Sequence, residues 1–269
     1  MRISLCQLRS GPDPEENLAA AAAAVRRAAA EGAVLAVLPE AAMARFGVPL
    51  GPVAQPLTGP WAGGLRAVAE ETGVTVVAGM FTPTADGRVA NTLLVAAPGG
   101  GGRGESYDKI HLYDAFGYRE SDTVAPGGRV VTLDVAGVRV GLATCYDVRF
   151  PELFRAHADA GAVLSLLPAS WGAGPGKAEQ WELLVRARAL DATVWVAAVD
   201  QALPSPGADP EEPTAAPNGV GRSLLVAPDG SVRARLGGDP DVLTFDLDPA
   251  EADRVRASIP VLANRRLPL

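Results

Sequence analysis

Short apolar runs recur along this chain, and each is stopped by a glycine, a proline or a charge. They include RISLCQL (2–8), AVLAVLPE (33–40), VTVVAGMF (74–81), VANTLLVAAP (89–98), VVTLDV (130–135), VRVGLATC (138–145), AVLSLLPASW (162–171) and TVWVAAVDQ (193–201). None is long enough to cross a bilayer as a helix. Their length and their content of Val, Ile and Leu mark them as buried β-strands. Helical stretches alternate with them: one from Pro14, one opening at Gly59-Pro60, one after Pro151 running to Gly161, and one over 178–191. Ala136-Gly137 and Asp229-Gly230 read as hairpin turns, the second inside SLLVAPDGSVRARL (223–236). So many apolar strands need apolar cover on both faces. That requirement predicts an α/β chain with two sheets packed face to face and helices outside.

The 269 residues show no linker and no repeat of fixed period, so residues 1–269 are expected to form a single domain. A formal net charge of −7 and the lack of a basic stripe argue against nucleic acid. Cys6 and Cys145 make no disulfide framework and fit a reducing, cytoplasmic setting. His111, His157 and the two cysteines are too scattered to hold a metal, and nothing calls for a cofactor. The N-terminal run reads as a strand rather than a signal peptide. Arg26 and Arg27 interrupt the Ala-rich stretch, so no membrane span is expected. GGGGRG (99–104) lacks the Lys-Ser/Thr ending of a phosphate loop and reads as a flexible hairpin. The Pro-rich stretch 202–221 is longer than an ordinary connection.

Chemistry concentrates in three places. Cys145 ends an apolar strand and precedes a polar turn and a helix, where backbone N–H groups can meet negative charge. A thiol needs a proton acceptor before it becomes a good nucleophile. His157 falls about two turns into the following helix, and nothing pairs His111 with Cys145. Glu40 is the alternative: a carboxylate at the tip of a buried strand costs free energy unless it is paired or used. Lys109, in YDKIHLYD, supplies a cation that would support a thiolate and a developing oxyanion. Cys6, inside a strand, reads as core. Asp147 reads as fixing the turn after Cys145, with an exposed Asp147–Arg149 pair as the bland alternative. Arg149 divides evenly between a structural role and binding a substrate carboxylate. Tyr113, Phe116, Trp171 and Trp181 are candidate pocket aromatics, although aromatics are more often core. RARAL (186–190) reads as helix with buried ion pairs.

Taken together, LPE (38–40), YDKIHLYD (107–114) and CYDVRFPELF (145–154) resemble the nitrilase superfamily of carbon–nitrogen hydrolases, in the order that family has them. NTLLVAAPGG, ESDTVAPG, LPASW, WELLVRARALD, GRSLLVAPDG and IPVLANRRL extend the resemblance over essentially the whole chain. It implies a four-layer α-β-β-α sandwich, usually dimerised, and a Glu-Lys-Cys triad. By position, Cys145 would be the nucleophile, Glu40 the general base and then acid, and Lys109 the oxyanion donor. Glu120 would orient Lys109 or the substrate, and the Tyr146 amide would be a second oxyanion donor. Tyr146, Arg149, Tyr113 and Trp171 would line the substrate pocket.

Nitrilases proper usually carry Cys-Trp-Glu, whereas Tyr146 and Asp147 follow Cys145 here. CYDVRFPEL resembles instead the branch of omega-amidases and deaminated-glutathione amidases. That implies a small carboxylate-bearing amide as substrate, cleaved through a thioester with release of ammonia. An N-carbamoyl amino-acid or ureide amidohydrolase with the same triad is the alternative enzyme, and a catalytically silent scaffold the non-enzymatic one. Gln180 stands where many relatives carry His, beside Trp181.

Overall fold

Alternate residues of the N-terminal strands face two different cores. Ile3, Leu5, Leu35, Val37, Val77, Leu93 and Val95 join one apolar cluster, while Cys6, Ala36, Leu38, Val76, Ala78, Leu94 and Ala96 join another. A strand projects successive side chains to opposite faces, so a sheet apolar on both must be covered on both. The computed structural model describes residues 1–100 and 105–267. Of the run expected as a flexible hairpin at 99–104, residues 101–104 lie outside that description; Pro98–Gly100 form a 3₁₀ turn.

In chain order the elements are β1 (Arg2–Gln7), α1 (Pro14–Ala30), β2 (Leu35–Val37), α2 (Pro60–Thr72), β3 (Thr75–Pro83), β4 (Val89–Ala96) and β5 (Ser106–Asp108). A small hairpin follows, β6 (Asp114–Ala115) with β7 (Tyr118–Arg119), then β8 (Val124–Ala125). The second half holds β9 (Thr132–Val135), β10 (Val138–Leu142), α3 (Pro151–Asp159), β11 (Leu164–Ala169), α4 (Lys177–Ala192) and β12 (Trp195–Asp200). It closes with β13 (Leu224–Val226), β14 (Val232–Arg235), β15 (Asp241–Asp246) and α5 (Ala250–Ser258).

The first sheet has the order β15-β1-β2-β3-β4-β5, with β8 beside β4; the second runs β14-β13-β12-β11-β10-β9. Helices α1 and α2 pack outside the first sheet, and α3 and α4 outside the second. Between the sheets lies a core that includes Leu142, Leu166, Ala197 and Leu225. The result is the four-layer α-β-β-α sandwich. Asp13 caps α1 by accepting from the Glu15 amide, and Pro60 occupies the first turn of α2 after Gly59. Ala136 and Gly137 both have positive φ, as a two-residue hairpin between twisted strands requires. Edge strand β15 pairs antiparallel with β1 over the whole of both strands.

His157, on α3, is fully buried, with Nδ1 3.1 Å from Ser165 Oγ on β11. Burial pushes its pKa from 6.5 down to about 4. The neutral ring's contribution is therefore complete above pH 6.5 and is lost as pH falls through 4. This one group should cost about 3 kcal/mol of stability across that window. Urea unfolding midpoints measured from pH 7 to pH 4 check it. His157→Gln should flatten the dependence; an unchanged slope would exclude His157 as its source.

Candidate active site

Cys145 sits three residues past the end of β10, beyond Ala143, whose N–H still bonds to Leu166 O at 3.0 Å. There the chain turns sharply. Cys145 has φ of 46°, a left-handed conformation uncommon for a residue with a side chain, and opens a 3₁₀ turn, Cys145–Arg149. The first N–H groups of such a turn have no partner within it, which leaves the Tyr146 amide beside the thiol. Asp147 holds the turn in place. Its carboxylate accepts Thr144 N–H at 2.8 Å, the Tyr107 hydroxyl, and His111 N–H at 3.0 Å, with His111 Nδ1 at 2.7 Å. Tyr107 and His111 flank Lys109, so one buried carboxylate ties the lysine loop of one sheet to the cysteine turn of the other. Asp147 makes no ion pair with Arg149, which corrects that bland alternative; His111 partners Asp147.

Glu40 lies just beyond β2, whose pairing ends at Val37. Gly79 makes room for it: a Cβ there would stand 2.6 Å from Ala41 N and 2.7 Å from Glu40 Cα. Glu40 Oε1 accepts Asn91 Nδ2 at 2.6 Å and Lys109 Nζ at 2.9 Å, and Oε2 accepts Ser170 N–H at 2.8 Å. Glu120 Oε2 accepts Lys109 Nζ at 2.8 Å and Tyr113 N–H at 2.7 Å. Asn91 also donates to Glu120 Oε1 at 3.0 Å. Lys109 is thus pinned between two carboxylates, and all three side chains are almost wholly buried. An ammonium has three N–H donors. Two are committed, and one remains.

Electrostatics sets the resting protonation. Burial would lower the Lys109 pKa, but Glu120 and Glu40 overcome it and hold the group well above its ordinary value. Burial raises the Glu40 pKa, with Lys109 opposing and Glu120 adding to the rise. Burial and the Glu40 charge push the Cys145 thiol well up, against Lys109. The free site therefore holds a protonated thiol, which donates to Ser170 O at 3.8 Å. Its proton has to leave as the sulfur attacks.

Comparison with known proteins decides the lineage. The carbon-nitrogen hydrolase family model matches residues 2–257. The chain belongs to the carbon-nitrogen hydrolase family. A hydrolase of Mycobacterium tuberculosis is 52% identical over 98% of this chain and 95% of its own. The deaminated glutathione amidase of Escherichia coli O157:H7 is 36% identical over 94% and 92%. An omega-amidase of Xenopus tropicalis is 33% identical over 98% and 95%. Among solved structures, a CN-hydrolase superfamily protein of Xanthomonas campestris aligns with TM-score 0.86 at 28% identity, covering 100% of this chain and 98% of that one. A mutant of an amidase from Nesterenkonia sp. AN1, with acrylamide added at its active-site cysteine, aligns at 0.77 and 28%, covering 96% and 98%.

In this carbon-nitrogen hydrolase, the three triad candidates, Glu120 and four of the expected pocket residues line one pocket. Glu40, Lys109, Glu120 and Cys145 lie at its base, and Tyr113, Tyr146, Arg149 and Trp171 form walls. It encloses about 380 Å³, its open mouth included. Arg149 lies near Tyr146 and Trp171, its guanidinium carbon 5.8 and 5.4 Å from the ring centroids, and donates to Gln180 Oε1 at 3.0 Å. Trp181 is instead fully buried core, bonded through Nε1 to Arg222 O, and Phe116 is 71% exposed outside the pocket. In RARAL, Arg188 pairs with Asp191, whereas Arg186 bonds to Gly230 O. Asn91, Ser170, Tyr118 and Lys177 were not singled out for roles. Asn91 left a trace, a lone amide in an otherwise apolar run, and a buried amide must have partners. Among the described residues no cluster of His, Cys, Asp and Glu could hold a metal, and no helix could cross a membrane.

Proposed function

We propose that residues 1–269 act as one catalytic domain, an amidase of the omega-amidase kind. It cleaves the C–N bond of a small carboxylate-bearing amide through a thioester on Cys145 and releases ammonia. One observation carries the reading: an ammonium fixed between two buried carboxylates, with one N–H to spare, in the same pocket as a thiol.

Cys145 Sγ attacks the carbonyl carbon as Glu40 takes the thiol proton. The carbonyl π pair moves to oxygen, which the third Lys109 N–H and the Tyr146 amide receive. Collapse breaks the C–N bond, Glu40 gives its proton to the leaving nitrogen, and ammonia departs. Water then loses a proton to Glu40 and adds to the thioester. Collapse breaks the C–S bond, and Glu40 returns the proton to sulfur. Amide and water become acid and ammonia. A raised Glu40 pKa suits this shuttle, because the carboxyl must hold a proton between steps. Glu120 acts by keeping Lys109 aimed.

Arg149 supports the carboxylate on the substrate, since it enters the pocket with no acidic partner among the described residues. The similarity to a deaminated glutathione amidase and an omega-amidase supports the same class. Ammonia release from α-keto-acid amides, simple amides and N-carbamoyl amino acids tests it, with Cys145→Ala run in parallel. Turnover of carboxylate-bearing amides, absent in the variant, is expected. Turnover of carbamoyl compounds alone would replace the substrate class. No release from any compound, with Cys145 still alkylated by iodoacetamide, would end the amidase reading.

A further inference from the structure

Ser170 lines two cavities. One is the Cys145 pocket; the other, of about 580 Å³ with its opening included, is walled by Arg9, Ser10, Arg45, Gln201 and Asn218. Cys145, Glu40, Lys109 and Arg149 line the first and not the second. The long 202–221 stretch closes the second cavity with Pro204 near its start and Asn218 near its end.

The walls are tied together. Gln201, almost wholly buried, accepts Ser10 N–H through Oε1 at 3.0 Å and donates through Nε2 to Ser10 Oγ and Glu40 O, both at 2.9 Å. Arg45 N–H donates to Gly11 O at 3.0 Å, and Ser170 Oγ to Pro217 O at 2.7 Å. A Cβ at Gly47 would stand 3.3 Å from Arg45 Nη1 and 3.2 Å from Ala216 Cβ, which places the guanidinium beside the segment that leads to Asn218.

The polar groups that remain are unspent. Among the described residues Arg45 forms no salt bridge, and its guanidinium donates to Phe46 O at 3.1 Å. Arg9 donates to Leu203 O at 2.6 Å and pairs at 3.2 Å with Asp239, whose side chain is 73% exposed. So exposed a pair neutralises little. Asn218 Oδ1 is buried with no partner among the described residues, and a buried amide oxygen calls for a donor. Guanidinium groups present paired N–H donors that suit a carboxylate. A carboxylate alone leaves Asn218 unsatisfied; one with a hydroxyl or amino group beside it supplies the missing donor.

We propose that this cavity is a second small-molecule site, separate from the Cys145 pocket, for an α-hydroxy or α-amino carboxylate. Its carboxylate meets Arg45 and Arg9, and its O–H or N–H donates to Asn218 Oδ1. Calorimetric titration of the full chain with lactate and with propionate, which differ by one hydroxyl, tests it. Lactate should bind about 3- to 10-fold more tightly, the worth of one hydrogen bond. Arg45→Met should weaken both acids by about 10- to 100-fold, as loss of a charged partner does. Asn218→Val should bring the lactate-to-propionate ratio to one. Arg149→Met, altered in the other pocket, should leave this binding in place.

No binding of either acid, or equal affinities in the wild type, would overturn the proposal. Binding that survives Arg45→Met and disappears in Arg149→Met would place the acid in the Cys145 pocket and overturn it equally. Thermal melts check that each variant folds; if Arg45→Met does not, the Asn218→Val ratio decides alone. None of these readouts needs turnover, so the result stands apart from the amidase reading.

Discussion

Lys109→Met should lower kcat for ammonia release by about 1,000-fold, the loss expected when an oxyanion donor is removed. The variant keeps much of the side chain's volume but deletes the charge between Glu40 and Glu120. Asn91 would then be the one side chain bridging two buried carboxylates. Like charges in one low-dielectric site cannot both stay ionised, so one acquires a proton. Catalysis thus loses the oxyanion donor and a dependable base together. Removing one partner of a buried ionic group also typically costs about 3–5 kcal/mol of stability. A thermal melt beside the kinetics separates a folded, inactive enzyme from an unfolded one. A folded variant with kcat within tenfold of wild type would remove Lys109 from the mechanism.

Glu40→Gln should produce two changes of opposite direction. Hydrolysis should fall by about 10,000-fold, because the same carboxylate serves acylation and deacylation. The thiol, in contrast, should become easier to ionise. In the wild type the Glu40 charge raises the Cys145 pKa while Lys109 lowers it. Removing the first and keeping the second shifts the balance toward thiolate. The pH midpoint for alkylation by iodoacetamide should therefore move down in the variant while ammonia release disappears. A midpoint that stays or rises would show that Glu40 is not the charge holding the proton on sulfur. The substitution also turns an acceptor into a donor opposite either Ser170 N–H or Lys109, so the thermal melt should fall modestly.

The sandwich was legible because its strands are buried on both faces and read as continuous apolar runs cut by Gly and Pro. Strand β15 shows no apolar run because it is an edge, and only Val242 in it is buried. The two- and three-residue strands β5 to β8 are too short to show a period. Glu40 and Lys109 stood out as charges beside apolar runs, and their mutual geometry followed from the family resemblance. The left-handed turn at Cys145 left no mark, since a residue with a side chain gives no local sign of positive φ. Lys177 looked like an ordinary helix-opening cation. That it forms no salt bridge among the described residues emerges only when the acids around it in space are assigned to other partners.

The division of the pocket between sheets carries a consequence for how such an enzyme can be cut. Glu40, Asn91, Lys109 and Glu120 belong to the chain before residue 126, and Cys145 and Ser170 to the chain after it. Neither piece holds all the groups proposed to react. Yet the second piece carries β15, which lies along β1 of the first over six residue pairs, a strand that one fragment lends to the other. A break between β8 and β9 leaves that loan intact. Fragments divided there should therefore release ammonia only when co-expressed, and activity from either one alone would contradict this division of the pocket.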